Sequence, residues 1–360
     1  MDRGHELRCL IAAGGTAGHV LPAIAVADAL RELGVSTTFA GSRGRVEERL
    51  VPEAGYALDL FRISGFPRRP TPALFVALAR AGKAPVACTR ILRRRRPHVV
   101  LGAGGYVAGP MVLAAALARL PAALTEADAH LGLANRLAAP FADRIFLSFP
   151  IPGRSGPRYR VTGRPIPASS RAVPRAEARA ELGLPAEGPV LLVLGGSQGA
   201  EAVNEVAVDA FAAHGPAILH VCGERYFPRL RPRIRRDDYV LLPFLSRLGL
   251  ALGAADLALS RAGGMVWELA AAGLPAVLVP SPNVTADHQT KNARYLESAG
   301  GAIVVPESDL GSVPELVRSL LGHPARRAHM AGSMRDTAKP DAAKVIAREL
   351  VALAEEAARG

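Results

Sequence analysis

The sequence predicts an α/β protein built from two doubly wound, Rossmann-like domains facing one interdomain cleft. Three observations lead there. Glycine-rich loops stand near the start of each half, GGTAGH at Gly14 to His19 and GGSQGA at Gly195 to Ala200. Each follows a short apolar run that reads as a buried parallel strand, and each opens a segment of helical spacing. Strand-like and helix-like patterns alternate almost throughout, as expected of parallel sheets covered on both faces. Between the halves, the Pro/Gly/Arg-rich stretch Pro150 to Pro174 reads as linker and hinge.

In the first half, strands are expected near Leu10, at Thr37 to Ala40, Val99 to Leu101, Ala122 to Thr125 and Arg144 to Leu147. Helices are expected at Pro22 to Leu33, Val46 to Glu53 and Val107 to Ala118. The second half repeats the scheme, with strands at Val190 to Leu194, Ile218 to Cys222, Val240 to Leu242, Leu257 to Ser260, Ala276 to Val279 and Ile303 to Val305. Helices follow most of these, notably Val266 to Ala272 and His288 to Ser298. The domains this implies are residues 1–162 and 163–341, and the helical pattern Ala342 to Ala358 is long enough to return to the first.

Composition agrees. A chain of 360 residues, 49% apolar, can bury two cores, and with aromatics at only 5% those cores must be Ala, Val and Leu. Cys9, Cys88 and Cys222 are odd in number and far apart, so neither a disulfide framework nor a metal cluster follows. The apolar stretch after the charged MDRGHELR ends at Gly14, too short for a signal-peptide core, so a reducing cytoplasm is expected. The longest apolar run, Met111 to Ala118, falls far below the roughly 18 residues of a spanning helix.

The formal charge is +12, and with lysine only at positions 83, 291, 339 and 344 it is almost all arginine. Positive residues concentrate between Thr71 and Arg96, where Arg80, Lys83, Arg90 and Arg93 to Arg96 interleave with apolar residues and no acid. Such a segment suits an anionic bilayer surface, and equally a solvated helix face over a buried stripe. No nucleic-acid partner is expected.

For a ligand, the Rossmann fingerprint G-x-G-x-x-G and the P-loop lysine are both missing. Backbone amides in glycine turns before helices nevertheless suit phosphate. A third loop, Gly102 to Tyr106, and a fourth, Arg261 to Gly264, stand at the carboxyl ends of predicted strands, where open α/β sheets bind ligands. All four are expected to converge on the cleft. Glu268, one turn into the helix after the fourth, is placed to accept hydrogen bonds from vicinal ribose hydroxyls.

The set GGTAGHVLPA (Gly14 to Ala23), GAGGYVAGP (Gly102 to Pro110), GGSQGA, SRAGG (Ser260 to Gly264), ELAAAGLPAVLVPSP (Glu268 to Pro282) and DHQTKNA (Asp287 to Ala293) closely resembles the MurG family, in its order and spacing. The resemblance runs from about residue 7 to residue 350 and implies a GT-B fold. It implies inverting transfer of N-acetylglucosamine from UDP-N-acetylglucosamine to the 4-hydroxyl of lipid I, giving lipid II. The chain would then be peripheral on the cytoplasmic face of the cell membrane, bound through residues 71–96 and in contact with cell-wall synthesis proteins.

Residue by residue, the resemblance implies that Thr16, Ala17 and Gly18 lie beside the donor's sugar and diphosphate. His19 is the candidate general base, since imidazole titrates near neutral pH and the acceptor hydroxyl must lose a proton. Ser197 and its neighbouring amides would bind the diphosphate, where negative charge grows as UDP leaves. Gly263, Gly264, Met265 and Val266 would lie along the phosphates, Leu245 would contact uracil through its backbone, Glu268 would hold the ribose and Gln289 would read the sugar hydroxyls. Gly104, Gly105 and Tyr106 would face the acceptor's diphosphate. No cofactor and no catalytic metal are expected, because amides and helix dipoles serve the diphosphate.

Two positions depart from the family pattern. Asp128 stands where an asparagine is usual near the donor sugar, and Pro167 where a phosphate-binding arginine is usual. Arg164 is the candidate replacement guanidinium and the counter-charge to Asp128. The alternative activities are a GT-B transferase with another lipid or natural-product acceptor, a UDP-N-acetylglucosamine 2-epimerase and a silent nucleotide-sugar binder.

Overall fold

The computed structural model describes residues 6–63, 72–196 and 198–359, with the backbone alone described over 72–83. The chain forms two compact units, residues 1–167 with 340–360, and residues 168–339.

The strands of the first unit are β1 (Arg8–Ala12), β2 (Ser36–Ser42), β3 (Ala57–Phe61), β4 (Val99–Gly102), β5 (Ala122–Glu126), β6 (Arg144–Leu147) and β7 (Tyr159–Val161). They pair in parallel in the order β3-β2-β1-β4-β5-β6-β7. Register follows burial. Ile11 of β1 sits between Phe39 of β2 and Leu101 of β4, all three fully buried, because central parallel strands are covered on both faces. One face is covered by the helix Ala17–Glu32 and the C-terminal helix Ala342–Arg359, which adds Ile346, Leu350 and Leu353 to the core. The other is covered by the helices Pro72–Arg95 and Ala108–Leu117, through Cys88, Ile91, Met111 and Val112. Alanines line the helix Ala17–Glu32 where it meets its neighbours, letting backbones approach in place of the missing aromatics.

The second unit holds β8 (Val190–Leu194), β9 (Ala217–Val221), β10 (Tyr239–Leu242), β11 (Leu257–Ser260), β12 (Ala276–Leu278) and β13 (Ala302–Val304), parallel in the order β10-β9-β8-β11-β12-β13. β8, sequence VLLVL, is buried at every position.

The segment Pro150 to Pro174 is not simply a linker. Within it, β7 adds to the edge of the first sheet, Phe146 of β6 pairing with Arg160. Its three residues, flanked by proline and glycine, carry no strand period of their own; β6 supplies the pairing. The same holds for β3, whose ALDLF places Asp59 inside because Arg94 and Arg95 meet it there.

Strand order reverses between β1 and β4 in the first unit and between β8 and β11 in the second. All four glycine loops therefore stand at the carboxyl ends of strands flanking a topological switch point, where doubly wound sheets leave a crevice.

Candidate active site

In the first unit, the loops after β1 and β4 cross in backbone contact. A Cβ on Gly105 would stand 2.2 Å from the Gly14 carbonyl oxygen, and one on Gly104 would stand 2.4 Å from His19 Nδ1. Gly104 has φ of +103° and Gly105 of +72°, so this turn needs glycine for conformation as well as for space. The Tyr106 ring packs against Gly15, and its hydroxyl is 3.4 Å from Ser42 Oγ. His19, near the start of the helix Ala17–Glu32, is thus pressed against the candidate acceptor loop.

Below this crossing lies Glu47, fully buried at the start of the helix Glu47–Glu53. Its Oε2 accepts the Gly15 N–H at 3.0 Å, and its Oε1 accepts the Ser42 N–H at 2.9 Å and the Ser42 hydroxyl at 2.6 Å. A Cβ on Gly14 would meet Glu47 Oε1 at 2.4 Å, and one on Gly41 would meet its Cγ at 2.7 Å. The first loop therefore meets a protein carboxylate on its inner side. One of its amides is already held by a carboxylate of the protein.

Arg164 and Asp128 come to the same place. The Arg164 side chain is buried and donates through Nη2 to the Gly18 carbonyl, while its Nε has no hydrogen-bond partner among the described residues. Burial first, and then the Arg164 charge, hold the His19 imidazole below its usual value, against the opposing pull of Asp128 and Glu47. Glu126, the other acid near this loop, is occupied inward. It accepts from the amides of Gly132 (2.9 Å) and Asp128 (3.2 Å) and from Asn135 Nδ2 (2.9 Å), and so shapes the 127–132 loop rather than facing a substrate. Burial pushes its carboxyl up despite these bonds.

In the second unit, the loop after β8 turns through Gly196 and Gly199 with positive φ, and a Cβ on Gly199 would stand 2.0 Å from the Cys222 carbonyl oxygen. That carbonyl accepts Asn204 Nδ2 at 2.9 Å, and His220 joins Asn204 Oδ1 at 3.0 Å to the Tyr239 hydroxyl at 2.8 Å. Since Asn204 Oδ1 can only accept, we assign the proton of the neutral imidazole to Nε2. Ser197 lies outside the described residues.

Gly263, Gly264 and Met265 follow β11, half-buried, with Val266 and Glu268 buried in the helix Val266–Ala271. The Ala262 carbonyl accepts Asn292 Nδ2 at 3.2 Å, tying this loop to the helix His288–Ser298. Gln289, on that helix, accepts the Ser281 N–H through Oε1 at 2.9 Å, which leaves its amide N–H groups as donors. Leu245 follows β10, the edge strand, apart from the switch point. No group of three His, Cys, Asp or Glu with metal-binding geometry occurs among the described residues.

Residues 9–147 match the glycosyltransferase family 28 N-terminal domain, and residues 190–346 match the glycosyltransferase family 28 C-terminal domain. The chain is 44% identical over 362 residues to a Salinibacter ruber protein, 96% of each being covered. That relative is named UDP-N-acetylglucosamine–N-acetylmuramyl-(pentapeptide) pyrophosphoryl-undecaprenol N-acetylglucosamine transferase. Acinetobacter baumannii MurG superposes with a TM-score of 0.75 at 27% identity, covering 96% of this chain and 99% of that one. The chain belongs to the MurG family. It is a glycosyltransferase, and its two Rossmann-like units are of the GT-B class. A Listeria monocytogenes protein described as a UDP-N-acetylglucosamine 2-epimerase has a TM-score of 0.71 at 15% identity, covering 98% of this chain and 97% of that one, which is likeness of fold alone.

Sequence reasoning passed over Glu47, Ser42, Asn204 and Asn292. A glutamate in a first helical turn reads as ordinary dipole complement. Nothing local separates Glu47 from exposed Glu48, which accepts the Gly44 N–H at 2.6 Å.

Proposed function

We propose that this chain transfers N-acetylglucosamine, with inversion, from UDP-N-acetylglucosamine to the 4-hydroxyl of lipid I, producing lipid II for peptidoglycan. The observation that carries the residue assignment is the packing of His19 against Gly104, a titratable base held on the candidate acceptor loop. His19 takes the proton of the acceptor hydroxyl as its oxygen attacks the anomeric carbon and the bond to UDP breaks. An imidazole held low by burial is neutral at cytoplasmic pH, as a base must be. Thr16, Ala17 and Gly18 face the donor sugar, with Asp128 beside them. Arg164, buried and with Nε unpartnered among the described residues, serves the donor diphosphate. In the second unit Ser197, Gly263, Gly264, Met265 and Val266 line the diphosphate, Leu245 the uracil, Glu268 the ribose and Gln289 the sugar. Gly105 and Tyr106 complete the acceptor loop.

The same reading places the chain on the cytoplasmic face of the membrane. Leu133, Leu137 and Phe141 are exposed beside an apolar cavity of about 430 Å³ lined also by Pro85, Tyr106 and Leu113, and no described helix is long and apolar enough to cross a bilayer. Of the basic run, Arg94 and Arg95 pair with Asp59, so Arg93 and Arg96 are the members left to meet lipid headgroups.

The test is transfer of radiolabelled N-acetylglucosamine from its UDP donor to a short-chain lipid I analogue. Robust transfer by the wild type and its loss in His19→Ala support the reading. Binding of UDP-N-acetylglucosamine without transfer points to another acceptor, and a change in the sugar with donor alone points to epimerisation.

A further inference from the structure

The glycines of the first loop admit a protein carboxylate from beneath. Gly14 and Gly41 lack side chains where Glu47 passes, and Glu47 binds the backbone on both sides, the Gly15 amide after β1 and the Ser42 amide at the end of β2. Ser42 Oγ in turn stands 3.4 Å from the Tyr106 hydroxyl of the second crossing loop. Among the described residues the Glu47 carboxylate accepts from the Gly15 amide and from the Ser42 amide and hydroxyl, and from no arginine or lysine side chain.

We propose that Glu47 is a positioning residue for the transfer reaction: it braces the Gly14–Gly15 turn that carries His19 and supplies a fixed negative charge against which the His19 imidazolium forms. The inference rests on the reading of His19 as the base. When the acceptor O–H bond breaks, its proton passes to the imidazole, the oxygen's electron pair forms the new bond to the anomeric carbon, and UDP leaves with the electrons of the old carbon–oxygen bond. The imidazole gains a full positive charge in a partly buried place. Three charged groups face it: Arg164 opposes that charge, while Asp128 and Glu47 favour it. Tyr106 adds a hydroxyl on the adjoining loop. Glu47 is fully buried and held by the Gly15 and Ser42 amides, so its carboxylate is fixed in place.

The experiment compares wild type, Glu47→Gln and Glu47→Asp. Three readouts are taken: NMR titration of ¹³C-histidine, with His19 assigned by its loss in His19→Ala; steady-state transfer to the lipid I analogue; and calorimetric UDP affinity. Glu47→Gln removes the charge, so His19 should titrate lower by roughly half a pH unit or more. Its kcat should fall on the order of tenfold, with UDP affinity kept. Glu47→Asp keeps the charge but withdraws it from the Gly15 amide, so His19 should titrate near its wild-type position while kcat still falls. An unmoved His19 titration in Glu47→Gln overturns the charge role. Wild-type kcat in Glu47→Asp overturns the brace, and that variant decides the matter if Glu47→Gln does not fold. The NMR titration needs no turnover. Absence of transfer by the wild type would therefore count against the activity without deciding the Glu47 contact.

Discussion

The Arg164 guanidinium donates to the carbonyl oxygen of Gly18, an acceptor that its own helix cannot satisfy because the residue four positions on is Pro22. Proline has no N–H to return to that carbonyl, and a side chain from elsewhere in the fold takes the place. Here it comes from the chain just after β7. The bond fixes the residue next to His19 and places a cation beside the base.

Replacing Arg164 by methionine keeps most of the volume and removes the charge. The Arg164 charge depresses the His19 imidazole, so its removal lets His19 take up its proton at higher pH. The acid limb of kcat/KM should move upward, opposite to the shift expected for Glu47→Gln. A pH profile of the two variants side by side checks the signs.

Gly104→Ala should be damaging out of proportion to its size. The new methyl would stand 2.4 Å from His19 Nδ1, at a φ of +103° that alanine resists. A base displaced by about 1 Å costs on the order of 100-fold in rate. We expect kcat to fall by that order while UDP affinity, measured by calorimetry, stays close to wild type.

Acid should destabilise the second unit through His220. Burial lowers its imidazole from 6.5 to about 3, so it stays neutral in the folded state while the unfolded chain takes up a proton. Stability from this group is complete above the unfolded value and is lost as pH falls from 6.5 towards 3. At pH 5 the loss is about 2 kcal/mol. His220→Gln should be less stable at neutral pH, having lost its network, but should show a shallower decline over this window in thermal melts.

Binding to anionic liposomes should depend on Arg93 and Arg96, which are exposed, and not on Arg94 and Arg95, which are held by Asp59. Arg93→Ser with Arg96→Ser should weaken binding by roughly 2 kcal/mol at physiological salt. Leu133→Ser with Leu137→Ser should weaken it at high salt as well, because apolar insertion is not screened. Co-sedimentation at two salt concentrations separates these contributions. Unchanged binding in both variants would assign the basic run to a solvated helix face.

Much of the architecture was readable because parallel strands buried on both faces announce themselves. β8 is five apolar residues ended by two glycines, and β11 is LALS ended by RAGG. The strands that escaped notice, β3 and β7, are edge elements whose sequences follow their partners rather than a period. At the site, His19, Gly104 and Gly105 stood out by motif. Glu47 did not, because its neighbour Glu48 has the same helix position and the same chemistry. Arg164 was noticed as a spare guanidinium, but its tie to Gly18 could not be anticipated from either stretch alone.

By itself the sequence determined the alternation of strand and helix, the glycine turns at strand ends and the residue types available for transfer. These are local properties, set by the spacing of apolar residues and by the backbone freedom of glycine. Tertiary structure alone decided the strand order that carries the four loops to the switch points, the crossing of the Gly14 and Gly105 turns, and the choice of Glu47 over Glu48 as buried anion. Those depend on hydrogen bonds and close contacts between segments far apart in the chain, Arg164 and Gly18 being 146 residues apart. A local pattern cannot record such a pairing, because the need of each buried group is met by a partner outside its own segment.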